Sequence, residues 1–262
     1  MSDAWVRALV ALPFGLVVGS FITVVVDRVP KKESVVSPRS RCPECGAHIR
    51  NRDNVPVFSY VLLRGRCRVC GTRISVRYPL LEIGTAAVCV AIAVVYDSTY
   101  LIVLLALFGA VMVALSAIDI EHRIIPNRIT YPALVVFAAA IVVEWAIAVD
   151  LKPLDGLIGL VAYGGFFLVV AFISPRGMGM GDVKLAALIG LVVGSLALGS
   201  VAVAAGVAIV LGGVGALVAL LLGKSRKSAI PFGPYLAAGA VVAVLWGDQI
   251  ARWYLRAFTT GG

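Results

Sequence analysis

The stretch TYLIVLLALFGAVMVALSAIDIEHRIIPN, residues 99–127, sets the class of this protein. Positions 99–118 carry no charged side chain, and the run then stops at Asp119, Glu121, His122 and Arg123. About 20 apolar residues in helical form cross the ~30 Å hydrocarbon core of a bilayer. Backbone groups inside lipid have to pair within their own segment, which makes the run a helix. Working outward, about seven further runs of the same kind flank it: near 5–27, 79–96, 129–149, 154–174, 183–199, 200–222 and 234–253. The sixth and seventh in chain order meet with almost no loop. The expectation is an all-α polytopic membrane protein of about eight transmembrane helices. Composition agrees, since the 262-residue chain is 61% hydrophobic and 14% charged, against about 25% charged in soluble domains.

Charge then divides the chain. The net charge of +9 resides entirely in residues 28–77, and the remainder nets zero. A basic loop beside a membrane helix reads as a cytoplasmic loop, with some attraction to anionic lipid head groups, rather than as a nucleic-acid site. Three segments follow: residues 1–27 as a first transmembrane helix, 28–77 as a cytoplasmic loop, and 78–262 as a transmembrane catalytic domain. The first run lacks an A-x-A-like exit, so it is read as retained and not as a cleaved signal. Alternation from an outside N-terminus places 119–128, 175–182 and 223–229 inside. Those segments hold Arg123, Arg128, Arg176, Lys224, Arg226 and Lys227, whereas the outer turns near 97–98 and 150–153 hold only Lys152. Gly15 with Gly19, and Gly190 with Gly194, have the small-xxx-small spacing of close helix packing. Gly212, Gly213 and Gly215 are expected to loosen their helix, and Glu144 beside Trp145 reads as an outer-interface pair.

The basic loop contains two copies of one pattern, Cys42-Pro43-Glu44-Cys45-Gly46 and Cys67-Arg68-Val69-Cys70-Gly71. Paired C-x-x-C turns suit tetrahedral thiolate coordination of Zn²⁺. Four cysteines close the coordination shell, so the ion is expected to be structural. Disulfides are the alternative, disfavoured on the reducing side of a membrane. Cys89, within a predicted helix, reads as a buried apolar residue.

A second feature is Gly177-Met178-Gly179-Met180-Gly181-Asp182-Val183-Lys184. Ionisable groups near membrane depth are costly and are functional candidates by default. Asp119 and Asp182 fall at the same predicted membrane face. Two such carboxyls brought together share one proton: the ionised one takes a proton from water and the protonated one polarises a scissile carbonyl. Gly177, Gly179 and Gly181 are expected to permit unusual torsions and to let a substrate strand lie against the loop, with Lys184 in support. Simpler readings stand beside this one. Asp182 suits a helix cap, and Asp119 an i,i+4 ion pair with Arg123.

Several motifs in order resemble one family, the type IV prepilin leader peptidases, membrane aspartic proteases of the G-x-G-D class. They include Gly19-Ser20-Phe21 through Arg28-Val29-Pro30, Pro38-Arg39-Ser40-Arg41-Cys42, Asp53-Asn54-Val55-Pro56 and Arg64-Gly65-Arg66-Cys67. They continue with Arg77-Tyr78-Pro79-Leu80-Leu81-Glu82, the Asp119 and Asp182 segments, and Pro231-Phe232-Gly233-Pro234. The resemblance implies cleavage of the leader of prepilins or pseudopilins at the cytoplasmic face of the bacterial inner membrane, with Asp119 and Asp182 catalytic. Members with the cysteine loop are often bifunctional and also N-methylate the new terminus, using S-adenosylmethionine. The chain departs from the usual pattern at Thr23, Asp27 and Asn127. A reading from another class is a zinc-ribbon-bearing transporter or assembly scaffold, which would place its aspartates near the bilayer midplane on discontinuous helices.

Overall fold

The computed structural model describes residues 2–148, 150–174, 178–223 and 231–259. Arg176, Gly177, Lys224, Arg226 and Lys227, which entered the topology and loop readings, lie outside the described residues. The architecture is all-helical. Eight long helices are α1 (Ser2–Arg28), α3 (Arg77–Val95), α4 (Thr99–His122), α5 (Asn127–Ile147), α6 (Pro153–Ile173), α7 (Met180–Leu196), α8 (Leu198–Leu221) and α9 (Gly233–Thr259). A five-residue helix, α2 (Phe58–Leu62), lies in the basic loop. Among the described residues the only β-type pairings are two isolated bridges, Arg41 with His48 and Arg66 with Arg73.

Seven of the helices are long and apolar enough to cross a membrane. The exception among the eight expected is α7, with 17 residues, about 26 Å at 1.5 Å per residue. Its sequence is apolar, yet it faces protein on nearly every side. Leu185, Leu188, Ile189 and Val193 are all fully buried. A helix enclosed by its neighbours has no lipid face to match in length. The turn into α8 is the single extended residue Ala197, so the near-absence of a loop there is real.

The chain divides into two compact units, Met1–Ala117 and Ile118–Gly262, and the division falls inside α4. In the first unit, α1 lies along α3. Side chains at Gly15 and Gly19 would strike the backbone of Ala86 and Glu82, at 2.6 and 2.7 Å, so this spacing does serve packing. Arg7 donates to the Ala93 carbonyl at 3.1 Å and pairs with Asp97 at 2.6 Å. At the other end of α1, Asp27 pairs with Arg77 and accepts from the Tyr78 hydroxyl at 2.8 Å. Cys89 is buried, as its place in an apolar run required.

In the second unit α7 is the central element, packed against α5, α6, α8 and α9. Its Gly190 and Gly194 meet Gly159 and Gly156 of α6. A Cβ on Gly190 would stand 2.2 Å from the Gly159 carbonyl oxygen. Glu144 corrects an expectation. Trp145 is exposed, but Glu144 is fully buried, and its Oε2 accepts the Leu151 amide at 2.7 Å. The carboxylate therefore caps the turn between α5 and α6 from within and does not sit at an interface.

Candidate active site and metal centre

Asp119 lies in the last turn of α4, and its residue is only 5% exposed. The ion pair with Arg123 is not formed. Arg123 instead takes a left-handed backbone, φ 54°, as the chain leaves the helix. The carboxylate accepts a hydrogen bond at Oδ2 from the Gly233 amide, 2.9 Å away. Gly233 is the first residue of α9, where amides have no partner inside the helix and the helix dipole favours a negative charge. A Cβ at position 233 would stand 2.8 Å from Asp119 Oδ2, so only glycine fits without displacement.

Asp182 lies in the first turn of α7, three residues after the N-cap Gly179. Its Oδ2 accepts the Gly179 amide at 3.2 Å. The capping role is thus realised, and it occupies one oxygen only. Among the described residues neither Asp119 Oδ1 nor Asp182 Oδ1 has a hydrogen-bond partner, and no hydrogen bond joins the two carboxyls directly. Two carboxyls, each anchored by one oxygen to a backbone amide and each with one oxygen spare, suit the holding of a water between them.

The approach of α7 to the Asp119 segment depends on Gly181. A Cβ there would stand 2.9 Å from Ile125 Cβ. Unusual torsion is not involved, since Gly179 has φ −85° and the left-handed glycines among the described residues are Gly46, Gly65, Gly71 and Gly223. The glycines supply proximity, not a strained backbone. Lys184, one turn deeper, ties α7 to α5: its ammonium donates to Asn127 Oδ1 at 2.9 Å and lies 5.1 Å from the Tyr131 ring centroid. Gly233 contributes to this arrangement through its backbone amide alone, which leaves no side-chain signature in the sequence. It stands in Pro231-Phe232-Gly233-Pro234, one of the stretches that carry the family resemblance.

The cysteine loop forms a separate centre in the first unit. The ligand atoms of Cys42, Cys45, Cys67 and Cys70 all lie within 4.8 Å of one another, and Cys42 Sγ is 3.9 Å from Cys70 Sγ. Tetrahedral zinc at about 2.3 Å from each sulfur needs sulfurs roughly 3.8 Å apart, so the cluster fits the ion. Each half folds alike. The Cys42 amide donates to Ala47 and the Gly46 amide back to Cys42, and Cys67, Thr72 and Gly71 repeat the pattern. Gly46 and Gly71 have φ +70° and +72°, the left-handed conformation that closes such a turn. Amides of Cys70 and Val69 aimed at Cys67 pull its thiol down to about 7, towards the thiolate that binds metal, whereas burial and the neighbouring cysteine sulfurs push the Cys70 thiol up. Between the halves, Arg68 grips Asp53 with both carboxylate oxygens at 2.6–3.0 Å and holds that carboxyl below its usual range. Glu82 of α3 accepts the Val57 amide at 2.7 Å, tying the loop to the helix.

Comparison with known proteins gives the family. Residues 13–96 match the family model described as Bacterial Peptidase A24 N-terminal domain, and residues 106–222 match the Type IV leader peptidase family. A protein of Bacillus subtilis (strain 168) named prepilin leader peptidase/N-methyltransferase is 34% identical over 248 residues, covering 93% of this chain and 96% of the relative. Relatives of the same name are 32% identical in Aeromonas hydrophila, covering 97% and 96%, and 36% identical in Pseudomonas putida, covering 92% and 91%. No solved structure matches the chain.

Proposed function

Because the chain belongs to the type IV leader peptidase family, we propose that it is a prepilin leader peptidase whose catalytic pair is Asp119 and Asp182. The observation that carries the assignment is the close approach of the start of α7 to the Asp119 segment, Gly181 against Ile125, which sets carboxyls from the last turn of α4 and the first turn of α7 at one end of the second unit, each held by a backbone amide through one oxygen. In the proposed reaction a water lies between them. The ionised carboxylate removes its proton as the oxygen attacks the scissile carbonyl, and the protonated partner hydrogen-bonds the developing oxyanion. Collapse of the tetrahedral intermediate breaks the C–N bond and delivers a proton to the leaving amine. No covalent enzyme intermediate forms. The exposed Gly179 edge, with Gly177 before it, is where an extended substrate segment would lie, and Lys184 holds the α7 end against Asn127. The substrate is a prepilin or pseudopilin whose leader stays in the cytoplasm, which places this site and the basic loop of residues 28–77 on the cytoplasmic side of the bacterial inner membrane.

Zinc at Cys42, Cys45, Cys67 and Cys70 stabilises the loop and, with four thiolates, offers no open position to substrate. The same protein is proposed to N-methylate the new terminus with S-adenosylmethionine as donor. That activity rests on the relatives' names, and the described residues contain no glycine-rich strand-to-helix turn of the kind that cradles a nucleotide. The transporter or scaffold reading is not favoured, because both aspartates stand in terminal turns of their helices.

Asp119→Asn and Asp182→Asn, each assayed with a prepilin in membranes, test the pair. Each is expected to reduce cleavage by at least about 10³-fold, the scale of losing an essential acid or base. Normal processing by either variant sinks the assignment. Mass spectrometry of the mature pilin tests methyl transfer, and an unmethylated N-terminus with this protein as sole processing enzyme refutes it.

A further inference from the structure

We propose that Phe232 is a positioning residue for the reaction: its ring, seated in a glycine-lined socket of α8, fixes the Gly233 amide and through it the carboxyl of Asp119. The inference rests on the reading of Asp119 as catalytic. It begins with the donors of the first turn of α9. Pro234 has no N–H, and the amides of Tyr235 and Leu236 both close on the Phe232 carbonyl, at 3.1 and 3.2 Å. The Gly233 amide has no partner within that turn, and it goes to Asp119 at 2.9 Å. Where this amide stands is therefore where the carboxyl stands.

Glycine has no side chain with which to hold itself, so its neighbours must. The Phe232 ring lies 5.8 Å from the Phe167 ring of α6 and 6.1 Å from the Tyr235 ring, centroid to centroid. Phe167 is fully buried and braced edge-on by Tyr163 and Phe166 at 5.1 and 5.2 Å. α8 supplies the socket. A Cβ on Gly212 would stand 2.7 Å from Phe232 Cε2, and one on Gly215 would stand 1.9 Å from the Tyr235 hydroxyl. Residues three apart share a helix face, so these two glycines form one groove that admits both rings flanking Gly233 and Pro234. The helix is unbroken from Leu198 to Leu221, so the expectation that these glycines loosen it gives way to a different role. Gly213 has no heavy atom within 4 Å of its would-be Cβ and takes no part.

The test uses the full-length protein in lipid nanodiscs with a prepilin substrate, measuring kcat and KM for Gly212→Ala, Phe232→Leu, their double variant, Gly213→Ala and Asp119→Asn. Small misplacements of a catalytic group cost up to about 10²-fold. Gly212→Ala and Phe232→Leu are each expected to lower kcat about tenfold or more, with KM within about twofold. The double variant should be no slower than Phe232→Leu alone, because Gly212 acts only through the ring. Gly213→Ala should keep wild-type kcat. Multiplying effects in the double variant, or wild-type kcat in Phe232→Leu, overturn the proposal. If Gly212→Ala does not fold, the Phe232→Leu values decide. Cleavage by Asp119→Asn is the separate outcome that removes the underlying assignment.

Discussion

Asp119 and Asp182 reach the site under different constraints. Asp119 is buried and held by an amide 114 positions away in sequence, whereas Asp182 is half-buried and held by an amide of its own turn. The contact between Gly181 and Ile125 sets the approach of the second to the first. Gly181→Ala places a carbon 2.9 Å from Ile125 Cβ, and neither backbone can yield without moving an aspartate. Cleavage is expected to fall by between about 10 and 10²-fold, with thermal stability little changed, as kinetics and melting curves on the purified variant will show. Lys184→Met contrasts with it. The lost hydrogen bond and ring contact are exposed, so stability falls by about 1 kcal/mol, or roughly 2–4 °C in Tm for a protein of this size. Activity falls less than in Gly181→Ala. The carboxylates were legible in the sequence because ionisable side chains beside apolar runs stand out. Gly233 was not, because a backbone donor has no side-chain signature and its partner is set by tertiary packing. The torsional reading of Gly179 and Gly181 went wrong for a related reason. A glycine in sequence does not say whether it is there for its φ or for its missing Cβ.

At the scale of elements, apolar runs located all eight long helices to within a few residues, because the length of a run and the polarity of its ends are local properties. The residual differences have physical causes. The fifth helix begins at Asn127, earlier than the apolar run, because the extended Pro126 serves as its N-cap. The short α7 could not be told from a lipid-facing span, since burial by neighbouring helices is not written in hydropathy. The cysteine loop is the opposite case, being legible down to its ligands because the C-x-x-C spacing is itself the coordination geometry. It has almost no core of its own. Around the cysteine cluster the buried side chains are few, Cys42 and Ser59 among them, so a bound Zn²⁺ would supply most of the loop's folding free energy. Chelation is therefore expected to open residues 40–75 to proteolysis while helical circular dichroism stays near its starting value, and added Zn²⁺ should restore protection. Protection unchanged after metal removal, verified by elemental analysis, would show that the ion pairs and backbone turns suffice.

At the scale of the whole molecule the question is which side of the membrane each helix end faces. The structure supplies the helices, and the charge distribution supplies the orientation proposed for them. All of the net charge of +9 lies in residues 28–77, between the first two spans, and a positive loop of that length resists export. Each later turn then alternates. On the proposed topology the segment after α4, with Arg123 and Arg128, is expected inside together with Asp119 and Asp182, and the turns at 97–98 and 150–153 outside. Counting α7 as a crossing helix keeps the alternation: it packs against α5, α6, α8 and α9 and turns into α8 at the single extended residue Ala197. Alkaline phosphatase fused after Asp97 and after Asp150 is expected to be active, because the enzyme matures only once exported. The same reporter fused after Val36 and after Arg123 should be inactive. Activity at Arg123 would put Asp119 on the outer face, where a leader retained in the cytoplasm could not reach it, and the proposed substrate would have to be abandoned even if the carboxyl pair itself proved catalytic.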